Sequence, residues 1–447
     1  MQTVITNKLF NGTVGALKAC YDTLSRDGCF FALYRTEYYK NGNVKHDFLD
    51  IIDEGIKKGY EYVNTIVFPT EHIQNASFAD NVIYIVWFAK ERNNMRFNKD
   101  LIREKHIWKD VEWGKRTKNY NPKGKDPGNV WIPTEDDGNA HITNHILLTI
   151  DDIVKRLIRM TECGSDYYYY DDKAIQSLSI CKRSIYKASE NNNKSNSLAQ
   201  VIFGTSETMK SIKNKSVKVM VTSPPYWNLK DYYKKGQIGQ ENYEVYLDRM
   251  KRVWSECYSK LDKTGSLWIN INIRTSKGKP ILIPKDFVTI CKLIGFKYRG
   301  ILIWHKSSGI PTNNKNVGDH HEYIMLFSKS ESFAVDDSIF KSFKDYKNDI
   351  ISGKAFWNIN RKAGSVGKKY IHPAIYPNDL STRIIKISTT KGELVVDPFL
   401  GSGTTLISAL SVHRSCIGYE YNEGFSKLML SRFESEIPGV KVKMISE

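Results

Sequence analysis

Two strings in the second half of the chain carry residue types that can do chemistry. The first is Leu394–Thr405, LVVDPFLGSGTT. An apolar run ends at Asp397, a Gly-Ser-Gly turn follows, and a helix is expected to open near Thr404. Gly401 and Gly403 let the backbone approach a ligand with no Cβ in the way. A helix N-terminus beyond them offers free N–H groups to electronegative atoms. A second apolar run, Cys416 to Tyr419, ends at Glu420. An acidic residue at the end of a neighbouring strand suits the two hydroxyls of a ribose. The string is neither the dinucleotide fingerprint nor a phosphate loop, and no lysine follows the glycines. A carboxylate at the strand end, Asp397, would repel a diphosphate but suits a cationic ligand such as the sulfonium and amino end of S-adenosylmethionine.

The second string is Val219–Trp227, VMVTSPPYW. Two prolines fix φ and remove two donors, so the chain leaves its strand in a rigid extended turn. A site that alkylates an –NH2 group attached to a ring needs rigid acceptors, because the nitrogen lone pair is delocalised until its two N–H bonds are drawn out of the plane. The hydroxyl of Ser223 and a carbonyl of Pro224 or Pro225 are suited to that role. Tyr226 offers a ring face on which an extruded base can stack.

The two strings together resemble the amino-methyltransferase family of bacterial and phage DNA methyltransferases, with the catalytic string first, the order of the β group. Three further segments are similar to family segments: KDYYKKGQIGQENYEVYL at 230–247, HEYIMLFSK at 321–329 and HPAIYPNDL at 372–380. The resemblance covers residues 200 to 430 or so. It implies that Ser223, Pro224, Pro225 and Tyr226 hold the target base. It implies that Asp397, Phe399, Gly401, Ser402, Gly403 and Thr404 line the methionine part of S-adenosyl-L-methionine, with Glu420 on its ribose and His372 and Pro373 as neighbours. Lys230 and Asp231 would order the loop over the base, whereas His320 and His321 read as structural. Serine at the first position of the tetrapeptide resembles enzymes that make N4-methylcytosine, and Asp or Asn there goes more often with N6-methyladenine. The expectation is therefore transfer to cytosine N4 in duplex DNA by base flipping, with adenine N6 as the alternative. A DNA-binding protein with a vestigial site, an RNA methyltransferase and a small-molecule methyltransferase are the readings from other classes. Tyr226, Asp397 and both loop glycines argue against the first of these.

These strings need elements to hold them. Short β-branched runs alternate with helical periodicity from 199 onward: strands are expected at 217–222, 267–273, 298–304, 323–327, 394–396 and 416–419. Helices are expected at 243–261, 287–294, 380–388 and from 405. Such alternation reads as an α/β, doubly wound Rossmann-like methyltransferase sheet in residues 199–447. The polar stretch ASENNNKSNS at 188–197 places a linker over 166–198.

The first 165 residues repeat the pattern of the second half. Tyr21–Gly28 matches Tyr258–Gly265, Gly59–Thr70 matches Gly295–Lys306, and Val82–Lys90 matches His321–Lys329, at offsets of 237, 236 and 239. Trp131 pairs with Trp357 at 226, and the helix at 149–160 pairs with 380–389 at about 230. Neither SPPY nor the glycine string occurs in this first copy, although Cys163-Gly164-Ser165 is expected where such a loop would lie. Residues 1–165 are thus expected to be a degenerate copy of the catalytic fold. A basic stretch with Trp108, Trp113 and Tyr120 makes Lys109, Lys115, Arg116 and Lys118 candidate DNA contacts.

Composition agrees. The 447 residues allow two to three domains, and a net charge of +17 suits a polyanionic partner. The seven cysteines have no zinc-type spacing, so free thiols and no metal are expected. With no signal-like or membrane-spanning run, a cytoplasmic protein is expected. Expected partners are double-stranded DNA and a cognate restriction endonuclease, with no membrane. The expected assembly is a monomer with an internal pseudo-dimer, or a homodimer.

Overall fold

The computed structural model describes residues 3–6, 14–69, 82–103, 123–124, 126–131, 150–170, 197–228, 234–276, 278–306, 316–336, 339, 355–360, 365–366, 370–371 and 375–447. The second half is built on a nine-stranded sheet. Its strands are β6 (Ala199–Phe203), β7 (Val217–Thr222), β8 (Leu261–Ile271), β9 (Lys297–His305), β10 (His321–Ser328), β11 (Phe356–Asn358), β12 (Leu394–Asp397), β13 (Ser415–Glu420) and β14 (Lys443–Ser446). Their order across the sheet is β11-β9-β10-β8-β7-β12-β13-β6-β14. From β8 to β14 every pairing is parallel, while β10 runs antiparallel to both β8 and β9. The central strands are apolar and buried on both faces, as a parallel sheet covered by helices requires.

The covering helices follow from periodicity and caps. Helix α4 (Tyr243–Lys260) buries Tyr246, Met250, Val253, Trp254 and Cys257 along one stripe. Asn242 caps its start by accepting from Val245 N at 2.9 Å. Helix α5 (Ile283–Ile294) ends at Gly295, and α6 (Asn378–Ser388), α7 (Thr404–Ser411) and α8 (Ser426–Glu436) complete the half. The expected elements are all present. Strand β8 starts six residues earlier than its apolar run because it follows α4 without a loop.

The first half forms a five-stranded sheet of β1 (Thr3–Thr6), β2 (Cys29–Tyr34), β3 (Glu61–Pro69), β4 (Val82–Ala89) and β5 (Tyr167–Tyr170). The order is β3-β4-β2-β1-β5. Strand β4 is antiparallel to β3 and β2, and β1 is parallel to β2 and β5. Order and directions repeat those of β9-β10-β8-β7-β12 in the second half. Helices α1 (Val14–Thr23), α2 (Phe48–Lys57) and α3 (Ile150–Thr161) occupy the chain positions of α4, α5 and α6. Individual contacts recur too. Lys90 Nζ lies 4.7 Å from the centre of the Tyr21 ring, and Lys329 Nζ lies 5.0 Å from that of Tyr258. Gly59 and Gly295 both turn with positive φ against those same tyrosines. Val67 N donates to Asn129 O at 2.8 Å, as Ile303 N does to Ala355 O at 2.7 Å.

Two expectations need correction here. Tyr167–Tyr170, expected in the linker, is the edge strand of the first sheet, so this half extends past residue 165. Its unbroken run of tyrosines lacks the apolar–polar alternation that signals an edge strand. Cys163–Ser165 therefore precede β5, whereas the glycine loop of the second half follows β12. They are not that loop's counterpart.

The halves pack tightly. Helix α2 lies against α5, and Phe48 stacks on Tyr84 (4.1 Å between ring centres) and leans on Tyr323 (5.2 Å). Tyr298 Oη donates to the buried Asp47 at 2.6 Å. The Pro127–Asn129 segment pairs with Gly318: Asn129 N donates to Gly318 O at 2.8 Å, and Gly318 N to Pro127 O at 3.0 Å.

Candidate active site

Strand order decides where the two strings meet. From β7 the chain crosses through α4 to β8 on one side, and from β12 it crosses through α7 to β13 on the other. The adjacent strands β7 and β12 therefore flank a topological switch point, where the loops at their carboxyl ends diverge and leave a crevice. A solvent-open cleft of about 850 Å³ lies there. Four parallel strand ends contribute to it: Ser223 and Pro225 after β7, Pro398–Ser402 and Thr404 after β12, Glu420–Asn422 at the end of β13, and Gly204–Ser206 after β6.

The glycine loop is braced from below. Asp397 is fully buried, and both its oxygens are engaged by the protein. Phe399 N donates to Oδ1 at 2.9 Å, Thr405 Oγ1 to Oδ2 at 2.5 Å, and Tyr376 Oη to Oδ2 at 3.4 Å. Burial pushes this carboxyl above the usual carboxylate range, against the hydrogen bonds that favour its charge. Asp397 thus fastens the start of the loop from beneath, and it is not among the residues lining the cleft. Gly403 has φ of +89°, and a Cβ there would lie 2.7 Å from the Phe433 ring. Only glycine fits this turn into α7.

Arg432, on α8, was not legible as a site residue. It is completely buried, and its Nη1 donates to Ser402 O (3.0 Å), Ser402 Oγ (2.8 Å) and Thr404 Oγ1 (2.8 Å). Its Nε donates to Glu436 at 2.8 Å. The planar guanidinium fork suits such a multiple contact. Its only sequence signal is the Glu four residues further along the same helix.

Glu420, at the end of the neighbouring strand β13, touches the loop directly. Gly401 N donates to Oε2 at 2.9 Å and Asn422 N to Oε1 at 2.8 Å. Burial pushes its carboxyl up to about 7, partly offset by those two N–H donors. The residues present fit S-adenosylmethionine: a cleft at the switch point, a glycine loop that admits close approach, and a carboxylate placed for ribose hydroxyls.

Ser223 and Pro225 of the Ser-Pro-Pro-Tyr turn line the other wall, whereas Pro224 and Tyr226 are not among the lining residues. Pro224 is buried, while Ser223, Pro225 and Tyr226 are partly exposed. Tyr246 Oη donates to Pro225 O at 2.7 Å, and Arg274 donates to Tyr226 O at 3.1 Å and Asn228 O at 2.8 Å. Trp227 and Asn228 sit at φ of 26° and 42°, held there by these contacts. Tyr226 Oη donates to Glu322 Oε2 at 2.9 Å. Of the remaining candidates, His320 and His321 are buried between the halves. Their position agrees with the structural reading. Lys230, Asp231, His372, Pro373, Lys109, Lys115, Arg116 and Lys118 lie outside the described residues. Among the described residues no group of three or more His, Cys, Asp or Glu could hold a metal ion. No described helix is long and apolar enough to cross a membrane.

Fold and cleft together define a doubly wound α/β enzyme that binds a nucleoside cofactor at its switch point. Comparison with known proteins narrows the class. A family model described as DNA methylase matches residues 5–197 and 217–431. Type II methyltransferase M.Cfr9I of Citrobacter freundii is 30% identical over 254 residues, 49% of this chain and 82% of that protein. M.SmaI of Serratia marcescens is 30% identical over 260 residues, 51% of this chain and 87% of that one. A Thermus thermophilus protein described as a DNA modification methylase, solved in complex with S-adenosyl-L-methionine, is 26% identical with a TM-score of 0.42, covering 55% of this chain and 99% of its own. The chain belongs to the DNA methylase family whose members modify amino nitrogens at N6 or N4. It is an S-adenosylmethionine-dependent DNA methyltransferase of the restriction–modification type.

Proposed function

We propose that the enzyme methylates the exocyclic N4 of cytosine in double-stranded DNA, with the target base extruded from the helix against Tyr226. The observation that carries this reading is that Ser223 and Pro225 line the same cleft as the Phe399–Thr404 loop. The amino group and the methyl donor are thereby brought to facing walls. S-adenosylmethionine, when bound, supplies an electrophilic methyl group on a sulfonium. The chain's own residues do the rest. The Pro225 carbonyl is taken by Tyr246, so the Ser223 hydroxyl and the Pro224 carbonyl are assigned to accept from the two N–H bonds of the base. Drawing those bonds out of the ring plane frees the nitrogen lone pair for attack. The N–C bond forms as the S–C bond breaks, and the amino nitrogen releases one proton to solvent. Serine at the first position of the tetrapeptide favours cytosine over adenine.

The first half is assigned as a degenerate copy of the catalytic fold that stands in for a second subunit and helps to hold DNA. Its matching strand order, and a family match that extends over it, support this. A monomer is the expected assembly, to be read by sedimentation. The target base is read by mass spectrometry of digested product DNA. N4-methylcytosine is expected, and N6-methyladenine would overturn the base assignment. Tyr226→Ala should keep cofactor affinity and lose most turnover, and methylation at the wild-type rate would remove Tyr226 from the site.

A further inference from the structure

We propose that Glu322 is a positioning residue for the reaction: its carboxylate, clamped by Lys306 and Asn270, holds the hydroxyl of Tyr226 and so presets the ring on which the target base stacks. The proposal rests on the reading of Tyr226 as the stacking surface.

Three side chains converge on Glu322. Lys306 Nζ lies 2.9 Å from Oε1, while Asn270 Nδ2 and Tyr226 Oη lie 2.8 and 2.9 Å from Oε2. The four residues come from separate places: the end of β8, the residue after β9, the start of β10 and the turn after β7. Lys306 and Asn270 are both buried. A buried carboxyl on its own would take up a proton. Although burial opposes ionisation here, the Lys306 ammonium holds Glu322 below the ordinary glutamate value, and the Asn270 and Tyr226 hydrogen bonds act in the same direction. The ionised carboxylate can only accept hydrogen bonds, so Tyr226 Oη is obliged to donate. The polarity and the direction of that hydrogen bond are both fixed.

The ring is thus pinned at its two ends. Its backbone carbonyl is held by Arg274, and its hydroxyl by Glu322. A stacking surface already in place spares the arriving base the cost of ordering a free side chain. A phenol donating to a carboxylate is also more electron-rich over its face. That suits a base whose amino nitrogen gains positive charge during methylation.

The test uses the full chain and a duplex whose target has been identified from methylated host DNA. Single-turnover rate, S-adenosylmethionine affinity by calorimetry, and the emission of a fluorescent base analogue at the target position are measured for four variants: Y226A, Y226F, the paired E322M/K306M and the triple combination. The paired change removes both buried charges together, so no lone charge is left inside. We expect Y226F and E322M/K306M each to lower the single-turnover rate about tenfold and to dim the extruded-base signal, with cofactor affinity unchanged. The triple variant should be no slower than the paired one, because the bond from Tyr226 Oη to Glu322 is the one that Y226F and the paired change both remove. Wild-type rate in Y226F or in E322M/K306M, or losses that multiply to about a hundredfold, would overturn the proposal. Y226F is the fold-safe arm, since Glu322 keeps Lys306 and Asn270. Should Y226A itself methylate at the wild-type rate, the stacking role of Tyr226 fails and the proposal fails with it. An inactive Y226A beside a fully active Y226F overturns the positioning role alone.

Discussion

Cofactor binding should weaken as the pH falls through neutrality, and Glu420 sets the size of the effect. Its carboxyl, pushed up to about 7 by burial, is an ionisable group at the edge of the cofactor cleft. Ribose hydroxyls donate to a carboxylate, so the ionised form is the binding form. Between about pH 8 and about pH 6 the ionised fraction drops from about nine-tenths to about one-tenth. Affinity should fall about tenfold over that interval, equivalent to ~1.4 kcal/mol. The ligand's own amino group titrates in a nearby range, so the reference is Glu420→Gln and not a change of buffer. Calorimetric titrations at several pH values on both proteins give the difference curve. The same shift has a consequence for the cofactor-free fold. A carboxyl whose folded value lies above its ordinary 4.5 stabilises the fold fully below that ordinary value, and the contribution is lost as pH rises through about 7. Glu420→Gln should therefore raise the melting temperature of the cofactor-free protein at pH above 7 and leave it nearly unchanged near pH 4.5. A pH-independent affinity in the wild type, or an equal slope in Glu420→Gln, would refute the assignment of Glu420 to the ribose.

Gly403→Ala places a Cβ 2.7 Å from Phe433 at a φ of +89°, and strain plus overpacking should cost about 2–4 kcal/mol of stability. Thermal unfolding reads the cost, and calorimetry should show weakened cofactor binding. Arg432→Ala removes the buried fork under Ser402 and Thr404, with an expected loss of about 3–5 kcal/mol. Arg432→Lys should recover little of it, because an ammonium cannot reproduce the planar contacts. Asn129→Ala deletes the buried amide that accepts from His320 N at 2.9 Å and donates to Asp319 at 3.1 Å. About 1–3 kcal/mol should be lost for the unsatisfied partners. Because Glu322 lies two residues beyond His320, the single-turnover rate should fall while cofactor affinity holds. A lower melting temperature with an unchanged rate would make Asn129 a scaffold contact only.

Legibility in the sequence followed the range of each interaction. The strands and helices of the second half were readable because their signals are local: apolar runs of strand length, a helical stripe from Tyr246 to Cys257, and glycines at Gly295 and Gly403. The two functional strings were readable because each places its residues within a dozen positions. What could not be read is what joins distant positions. Glu322 lies in the family-like segment 321–329 and Lys306 ends a segment of the internal repeat, yet nothing local says that they meet each other and Tyr226, 96 residues before Glu322. Arg432 reaches the glycine loop from 30 residues away. Asp397 is expected to meet the methionine part of the cofactor because a carboxylate suits its cationic end. Its contacts with Thr405 and Tyr376 turn it inward, and the sequence carries no sign of that orientation.

The two halves share what holds a sheet together and differ where the chemistry lies. The recurring features, Lys90 and Lys329 over a tyrosine and Gly59 and Gly295 beneath it, sit at helix–strand junctions away from the switch point. The differences fall at the carboxyl ends of β1 and β5, the counterparts of the strands that carry Ser223 and the glycine loop. On the proposed reading of the first half as a degenerate copy, neither functional string follows those strands in its sequence, while the sheet that forms the core is kept. The first half also supports its neighbour. Asn129 of the first half holds the backbone at His320, and β10 starts one residue later. Glu322 on that strand holds Tyr226. On the proposed reading of Tyr226 as the stacking surface, the second half has part of its base-binding wall anchored by the first half.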